Sequence, residues 1–474
     1  MLNTSSIQLY LKYGENMELK NVTFLVIGEL YLAIDSYYEK VFNLDNITFN
    51  ILKAIKDKND MKIVEMQYGI ELVKKAIRNW KKLQRKGDRK NRGQNDTENI
   101  DFFEDKDREK ELVEGVFLVS QSCNMKCRYC YGESGEFGNK GFMDKKMAEE
   151  YFRLFLKLGG SLKLQKVRFL GGEPFMNFPI IQYIVSLWEE WKKDYPSKTV
   201  LFSATTNGTM FTDEILRYIA EKKISITISL DGPETIQNQN RKFKNESPTF
   251  SSVLAGMDML RKYKINFAVR STFTRTNDID SIYQYFETEN FAASHVLPAD
   301  FPLEFPVRNY QLDLESYGRY IDKEKEIFEK GYKDLNNGDT ETFCAKQLKV
   351  ALESIKIRKE YYPFKCGAGW WIVAFSSDGY IYPCHRMVGN SLFRIGGIHK
   401  GIDYGALKQL YIKLFSNSES CTICWANPFC KKRCLAERMN QNGEVIDLCD
   451  SLCNIYKDSL GNLLRLYITC NRSI

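Results

Sequence analysis

Residues 115–132 read GVFLVSQSCNMKCRYCYG, an apolar run followed at once by three cysteines. The apolar run predicts a buried strand, and the thiols of Cys123, Cys127 and Cys130 then lie on the loop at its carboxyl end. Three thiolates on a short loop can hold three corners of a four-iron cluster and leave the fourth iron open to another ligand. A structural zinc site would require a fourth ligand, and none is near in sequence. The alternative is that the three cysteines are partly buried free thiols that bind no metal.

The composition indicates the cellular compartment and the classes of partner that the protein can have. The chain has 474 residues, 13 cysteines, 3 histidines and a net charge of +7. There is no signal-peptide pattern and no run approaching the roughly 20 apolar residues of a membrane span. We therefore expect a cytoplasmic protein with no nucleic-acid or membrane partner. In a reducing compartment, many cysteines and few histidines favour iron–sulfur clusters or all-cysteine zinc.

Residues 113–300 alternate between strand and helix patterns, which indicates an α/β fold with a parallel sheet or barrel. Polar or glycine-rich turns close the strands, so these turns and the cysteine loop should meet at one mouth. The helices include 145–159 and 214–223. The six predicted strands are 115–120, 166–172, 199–208, 224–232, 266–274 and 293–299.

Four further segments flank this unit. Residues 1–84 predict a small α+β module with a two-stranded hairpin over 23–35 and helices over 47–56 and 70–83. The hairpin leaves a sheet edge to which an extended peptide could add; a packing domain without a ligand is the alternative. The predicted boundaries are a flexible charged linker over 85–112, a helical bridge over 301–365, and a separate cluster-binding domain over 366–474.

The C-x3-C-x2-C spacing, with Tyr129 before the last cysteine, resembles the signature of the radical S-adenosylmethionine (SAM) superfamily. The resemblance implies a partial (β/α)6 TIM-type barrel. It also implies that SAM chelates the open iron and that the cluster, reduced by a donor such as flavodoxin or ferredoxin, cleaves it to a 5′-deoxyadenosyl radical. The cofactor supplies the difficult chemistry, and the protein positions the substrate.

The same resemblance assigns cofactor-binding residues. GGEP (171–174) is similar to the motif that receives the SAM amino group, and Ser229 and Arg241 to residues that contact its ribose or carboxylate. Each of three residues has a structural alternative. Ser229 could cap the end of a strand, Arg241 could be a solvated surface charge, and Asn207 could form a turn. The predicted cofactor residues are Tyr129, Gly171, Gly172, Glu173, Asn207, Ser229 and Arg241.

The C-terminal cysteines resemble the SPASM domain, an extension of some radical SAM enzymes that carries two auxiliary four-iron clusters. The resemblance implies one cluster on Cys366, Cys384 and Cys434, with Cys344, Cys449 or an open iron at the fourth position. It implies a second cluster on Cys421, Cys424, Cys430 and Cys453. Cys470 fits no part of this pattern.

SPASM-bearing relatives modify peptides or proteins, and the N-terminal module resembles the winged-helix-like, PqqD-like precursor-recognition element of ribosomal-peptide maturases. The sequence therefore favours a maturase that binds the leader of a precursor peptide and installs a thioether or carbon–carbon cross-link. A sulfatase-maturating, formylglycine-forming enzyme is one alternative, and a non-enzymatic metal-cluster scaffold is another. Sulfatase maturases place an aspartate after the second SPASM cysteine, where this chain has His385, a possible catalytic base or a packed side chain.

Overall fold

The computed structural model describes part of the chain, in ranges separated by gaps. These are residues 19, 22–35, 40–57, 60–85, 112–160, 162–291, 293–299, 311–356, 366–415, 424–426, 429–430, 434, 436, 438–439, 444–445 and 450–472. Most of the predicted linker, 86–111, lies outside the described residues.

The N-terminal module has three strands rather than the predicted two. Strands β1 (Val22–Ile27), β2 (Leu30–Asp35) and β3 (Lys40–Leu44) form an antiparallel sheet in that order. Three helices follow: α1 (Asn46–Asp57), α2 (Met61–Tyr68) and α3 (Ile70–Arg85). The prediction missed β3 because its short sequence, KVFNL, carries little alternation, and α2 because it is only 8 residues long.

The module has its own core and also packs on the C-terminal region. Phe42 of β3 meets the buried Trp80 of α3 edge-on, with ring centroids 5.2 Å apart. On the other face of the sheet, the buried Ile34 packs in one cluster with Phe429 and Leu464. The module is therefore anchored to the far end of the chain by apolar contacts.

The central sheet confirms the predicted α/β fold. Six parallel strands run in the order β12-β11-β9-β8-β7-β4, and the sheet does not close on itself. Their bounds are β4 (Glu114–Gln121), β7 (Leu164–Gly171), β8 (Thr199–Thr206), β9 (Ser225–Ser229), β11 (Phe267–Phe273) and β12 (Ala293–Pro298). Short strands β5 (Met125–Cys127), β6 (Gly141–Phe142) and β10 (Arg241–Phe243) lie at the mouth.

Helices cover the outside of this sheet. Three of them begin at side chains that cap the first turn, Asp144, Thr212 and Asp278, each accepting a main-chain N–H from the following turn. The helices are α4 (Lys145–Leu158), α5 (Phe178–Asp194), α6 (Asp213–Lys222), α7 (Glu234–Asn240), α8 (Phe250–Lys262) and α9 (Ile279–Glu289). The buried amide of Gln165 fastens α4 to the sheet, donating to the carbonyls of Leu112 (2.9 Å) and Phe155 (3.1 Å).

The predicted bridge is helical where the structure describes it, in α10 (Leu314–Asn337) and α11 (Phe343–Lys356). The C-terminal region, predicted as a separate domain, instead continues the central sheet. Strand β13 (Ile372–Phe375) pairs in parallel with β4, and β14 (Tyr380–Tyr382), β15 (Gly396–Gly397) and β16 (Gly401–Ile402) extend it antiparallel. Helices α12 (Tyr404–Phe415) and α13 (Asp450–Arg472) complete the fold.

Candidate active site

The three cysteines of the first loop line one cavity at the mouth of the barrel. Cys123, Cys127 and Cys130 share this cavity of about 220 Å³ with the carboxyl ends of several central strands. Strand β5, which ends at Cys127, pairs antiparallel with β10 so that Cys127 lies opposite Arg241. The loop is therefore held from two sides, by β4 before it and by β10 beside it.

Nitrogen donors lie close to the sulfur atoms of Cys123 and Cys127. The Met125 main-chain N–H lies 3.3 Å from the Cys123 Sγ, and the Asn207 amide nitrogen lies 3.9 Å from the same sulfur. The Arg241 guanidinium lies 3.9 Å from the Cys127 Sγ. Burial is the main reason that the pKa of Cys123 is raised to about 12 and that of Cys127 to about 11. Buried thiols with donors aimed at their sulfurs suit ligation to a cationic cluster, in which the ligand is a thiolate.

The two glycines of GGEP allow main chains to approach the cysteine loop closely. Gly171 has φ +146°, which side-chain-bearing residues rarely adopt. A Cβ on Gly172 would lie 2.3 Å from the Ser122 carbonyl oxygen and 2.9 Å from the Cys123 Cβ. A Cβ on Gly135 would in turn lie 2.4 Å from the Gly172 Cα. These positions exclude any larger residue and form a backbone cradle against the first cysteine.

Glu173 lies behind the cavity wall rather than on it. Its carboxylate is fully buried and accepts hydrogen bonds from Phe175 N (3.2 Å), Thr206 Oγ1 (2.7 Å) and Asn207 N (2.8 Å). Burial raises its pKa to about 7. The side chain thus fixes the turn that carries Asn207, and its predicted contact with the SAM amino group stays a prediction.

Asp231 is a central residue of the site that the sequence analysis did not select. It is fully buried and accepts from Tyr129 Oη (2.8 and 2.6 Å), Arg241 Nε (3.0 Å), Asn240 Nδ2 (3.1 Å) and Thr272 N (3.1 Å). The Arg241 guanidinium also lies over the Tyr129 ring, 5.3 Å from its centroid. Asp231 therefore orients two of the predicted cofactor residues. Its place in SLDGP, two residues after Ser229, was the available signal.

The remaining predicted cofactor residues also reach the cavity. Ser229, Asn207 and Arg241 all line it. Asn207 is fixed on both sides of its amide, donating to Asn124 Oδ1 (2.8 Å) and accepting from Thr209 N (3.0 Å). Residues separated by more than 100 positions thus converge here, although their contacts with a cofactor stay predictions.

His385 belongs to the C-terminal region and lies on the wall of the same cavity. Its ring centroid is 6.1 Å from that of Tyr131, and the Arg386 guanidinium lies 5.7 Å from the Tyr131 centroid. Burial, together with the nearby Arg168, Arg270 and Arg386, lowers the pKa of His385 to about 3. The imidazole is therefore neutral near pH 7, and the surrounding guanidiniums oppose its protonation.

Gln121, a second residue that the sequence analysis did not select, ties this region to the cysteine loop. Its side-chain oxygen accepts from both the N–H and the hydroxyl of Ser377 (2.8 Å each). Its side-chain nitrogen donates to the carbonyls of Glu136 (3.2 Å) and Asn139 (2.9 Å). One buried amide thus joins the end of β4, the segment after the cysteines and the β13–β14 turn.

Cys384 lies near Cys366 and Cys434, the other two cysteines predicted for the first auxiliary cluster, and their ligation of a cluster stays a prediction. Burial raises the pKa of Cys384 to about 12, and the nearby thiols of Cys434 and Cys366 act in the same direction. The Arg386 main-chain N–H donates to the Cys384 Sγ at 3.3 Å. For the second cluster, Cys424 lies two residues before Ala426, whose carbonyl accepts from the Cys430 main-chain N–H at 2.8 Å. Helix α13 carries Cys453, and Tyr456 one turn later donates to the carbonyl that precedes Cys430 (3.1 Å).

Other cysteines lie elsewhere. Cys344, considered as a fourth auxiliary ligand, is buried on α11, and its electrostatic neighbours belong to α9 and α10. Cys470 packs at the end of α13, whereas Cys421 and Cys449 fall outside the described residues. Within the described ranges, no three Cys, His, Asp or Glu side chains are placed to hold a single metal ion. No helix in that part of the chain is long and apolar enough to cross a membrane.

The geometry agrees with a comparison to protein families. A model of the radical SAM superfamily matches residues 117–287, which include the three loop cysteines, GGEP, Asp231 and Arg241. The chain contains a radical SAM domain. It is accordingly a radical SAM enzyme, whose cofactors are SAM and a four-iron cluster. Cys123, Cys127 and Cys130 line one cavity and are the type of ligand that such a cluster needs, and their ligation of it stays a prediction.

Comparisons with individual proteins extend beyond this domain. The chain is 27% identical over 355 residues to the cysteine-type anaerobic sulfatase-maturating enzyme of Clostridium perfringens, covering 72% of this chain and 93% of the relative. The solved structure of native anSMEcpe with bound AdoMet and Cp18Cys peptide matches with a TM-score of 0.63 and 25% identity, covering 77% of this chain and 100% of that one. Streptococcus suis SuiB bound to precursor peptide SuiA has the same fold over 90% of this chain and 98% of its own, with a TM-score of 0.50 and 15% identity.

Proposed function

We propose that this radical SAM enzyme oxidises a residue of a peptide or protein substrate, with sulfatase-maturase-type chemistry as the first candidate. The observation that carries the proposal is a single cavity lined both by the three loop cysteines and by His385. The similarity to the C. perfringens enzyme supports it, because that similarity covers 93% of the relative. The sequence alone favoured a cross-linking maturase; the comparisons favour the sulfatase-maturase alternative.

When bound, the cluster and SAM would supply a 5′-deoxyadenosyl radical that removes a hydrogen atom from the substrate. The residues of the chain have simpler tasks. Cys123, Cys127 and Cys130 would ligate the cluster, and Arg241, held by Asp231, would bind SAM. His385 would accept the proton that the oxidised substrate residue loses. Because burial and the three nearby guanidiniums lower its pKa, this role requires that bound substrate offset the charge of those guanidiniums.

The proposal includes two auxiliary clusters, bound by the cysteines that the SPASM resemblance assigns, and these would accept the electron that the substrate radical loses. The proximity of Cys384 to Cys366 and to Cys434 supports the first. The attachment of the Cys430 loop to α13 near Cys453 supports the second. A flavodoxin or ferredoxin would supply reducing electrons.

The test uses anaerobically reconstituted protein, SAM, a low-potential reductant and a sulfatase-derived peptide that contains the target cysteine. We expect 5′-deoxyadenosine together with conversion of that cysteine to formylglycine, seen by mass spectrometry. Deoxyadenosine without peptide modification would contradict the first candidate but leave the enzyme class intact. His385→Gln should lower peptide conversion more than SAM cleavage.

A pair of cysteine variants controls this test. Cys127→Ala should abolish SAM cleavage, because two thiolates cannot hold the cluster with one iron open. Cys344→Ala changes the same residue type on α11, outside the cavity, and should retain cleavage. Equal loss in both variants would show that the effect is not specific to the predicted cluster ligand.

A cross-linking peptide maturase is the second candidate. The N-terminal module favours it: in the described part of the chain β3 pairs with β2 alone, so the outer edge of the sheet is available to an added strand. The shared fold with SuiB over 90% of the chain agrees with this arrangement. A precursor peptide from a neighbouring open reading frame, offered with and without its leader, would test it. Faster modification of the leader-bearing form and a mass loss of two hydrogens are expected; equal rates would count against leader recognition.

A further inference from the structure

The cavity wall is strongly basic. Four arginines line it, Arg168, Arg241, Arg270 and Arg386, and within the described residues its lining includes no Asp or Glu. Arg168 pairs with Glu114 at 2.7 Å, and Arg241 pairs with Asp231 at 3.0 Å.

Arg270 differs from these two in its surroundings. Its side chain projects from β11 into the cavity and is accessible to solvent there. The cavity itself is enclosed by protein, so the guanidinium is still partly desolvated. Burial lowers the pKa of Arg270, and so do the nearby charges of Arg168, Arg386 and Arg241. Its Cα partners across the sheet are Ser229 on one side and His295 on the other. The guanidinium thus lies at the level of the predicted cofactor site, among other cations.

Cations held close together in an enclosed site repel one another unless an anion enters between them. A guanidinium stays protonated in a protein, so neutralisation by proton loss is not open to Arg270. Its planar fork matches the two oxygens of a carboxylate. The nearby His385 is neutral and therefore supplies no negative charge to the Arg270 guanidinium.

We propose that Arg270 binds a carboxylate of the peptide substrate inside the barrel. This proposal rests on the proposed function and deepens it by naming a substrate class: peptides with an acidic group at or next to the residue that reacts. The carboxylate would belong either to an Asp or Glu side chain or to the chain terminus. Bound at the level of Ser229, it would place the neighbouring substrate carbon near SAM.

Small probes test this without requiring that any peptide be modified. The holoenzyme with SAM bound is titrated with N-acetyl-glutamate N-methylamide, its glutamine counterpart, and N-acetyl-glycine, which carries only a terminal carboxylate. Binding is followed by saturation-transfer NMR. We expect a carboxylate probe to bind about 10- to 100-fold more tightly than the glutamine probe, as for a charge-assisted hydrogen-bonded pair. The preferred carboxylate probe identifies the source of the anion.

Variants connect the preference to the residue. Arg270→Gln should remove the preference, and Arg270→Lys, which keeps the charge but loses the fork, should retain part of it. Arg153→Gln is the matched control, because Arg153 lies on the outer face of α4 and is 72% exposed. It should leave the preference unchanged.

Three results would overturn the proposal: no preference for a carboxylate, a preference that survives Arg270→Gln, or a preference that appears only when SAM is omitted. The last would show that the cofactor carboxylate occupies the guanidinium. Failure of the proposed function is a separate result, since probe binding with no oxidised peptide would leave the carboxylate site standing.

Discussion

Replacing Asp231 with asparagine should weaken the barrel and the SAM site together. The carboxylate is fully buried and the Arg241 side chain that it pairs with is 11% exposed. Asparagine has nearly the same size, so the substitution changes charge and hydrogen bonding rather than packing. An amide also presents an N–H₂ group to a site where Arg241 and Asn240 both donate.

The expected cost follows from these contacts. Removing one partner of a buried ion pair costs about 3–5 kcal/mol, because the remaining charge is left uncompensated. The asparagine oxygen in the Oδ1 position can still accept from Tyr129, the Thr272 N–H and Arg241 Nε, which places the estimate near the lower end, at about 3 kcal/mol. Loss of the negative charge that holds the Arg241 guanidinium should also raise the KM for SAM by about tenfold.

Hydrogen exchange of the β9 and β11 amides measures the free energy of barrel opening directly. Asp258→Asn is the matched control: Asp258 also pairs with an arginine, Arg261, at 2.7 Å, but the two side chains are 71% and 50% exposed. An exposed pair of this kind contributes about 0–1 kcal/mol. If both variants change barrel opening by the same small amount, the assignment of Asp231 as the central anchor is wrong.

Three further substitutions test the fold. Gln165→Leu should cost about 1–3 kcal/mol by urea unfolding, because the Leu112 carbonyl loses its side-chain donor and the Phe155 carbonyl keeps only the Gly159 N–H; an unchanged midpoint would contradict this. Burial raises the pKa of Glu324, which accepts from Tyr320, to about 7 from 4.5, so its contribution to stability is greatest below pH 4.5 and declines as the pH rises through 7. Glu324→Gln should therefore gain about 2–3 kcal/mol relative to the wild type between pH 5 and 8, and a flat difference would exclude this titration. Ile34→Ala should cost about 2–5 kcal/mol and speed proteolysis around the N-terminal module, because Ile34 packs against Leu464 across the module boundary; resistance equal to wild type would refute that contact.

The barrel was largely predictable because its signals are local. Each central strand is a short apolar run that ends in a polar or glycine-rich turn, so the observed β4, β7 and β8 lie within two residues of the predicted bounds, apart from the turn residues after Thr206. The cysteine spacing is equally local. By contrast, β3 is five residues without clear alternation, and its place is set by pairing with β2.

Residues that work through distant partners could not be found from the sequence. Asp231 acts by accepting from side chains up to 102 positions away, and Gln121 by accepting from Ser377, 256 positions away. Nothing in the local pattern separates such an Asp or Gln from a surface residue. Glu173 shows the converse, since its motif was recognisable but the burial of its carboxylate behind the wall was not.

Strand β4 links the two halves of the candidate site. Its carboxyl end leads into the cysteine loop. The edge of β4 opposite β7 pairs with β13, and the buried rings of Phe117 and Phe375 lie 4.9 Å apart across that pairing. Beyond β13, the β14 strand leads directly to Cys384 and His385. A shift of β13 along β4 would therefore move His385 relative to the three loop cysteines. The register of this one parallel strand pair therefore sets the position of the proposed proton acceptor and of Cys384, a proposed auxiliary-cluster ligand. A C-terminal region that continues the sheet holds His385 and the three loop cysteines in one cavity. A region tethered beside the sheet would not fix their relative positions.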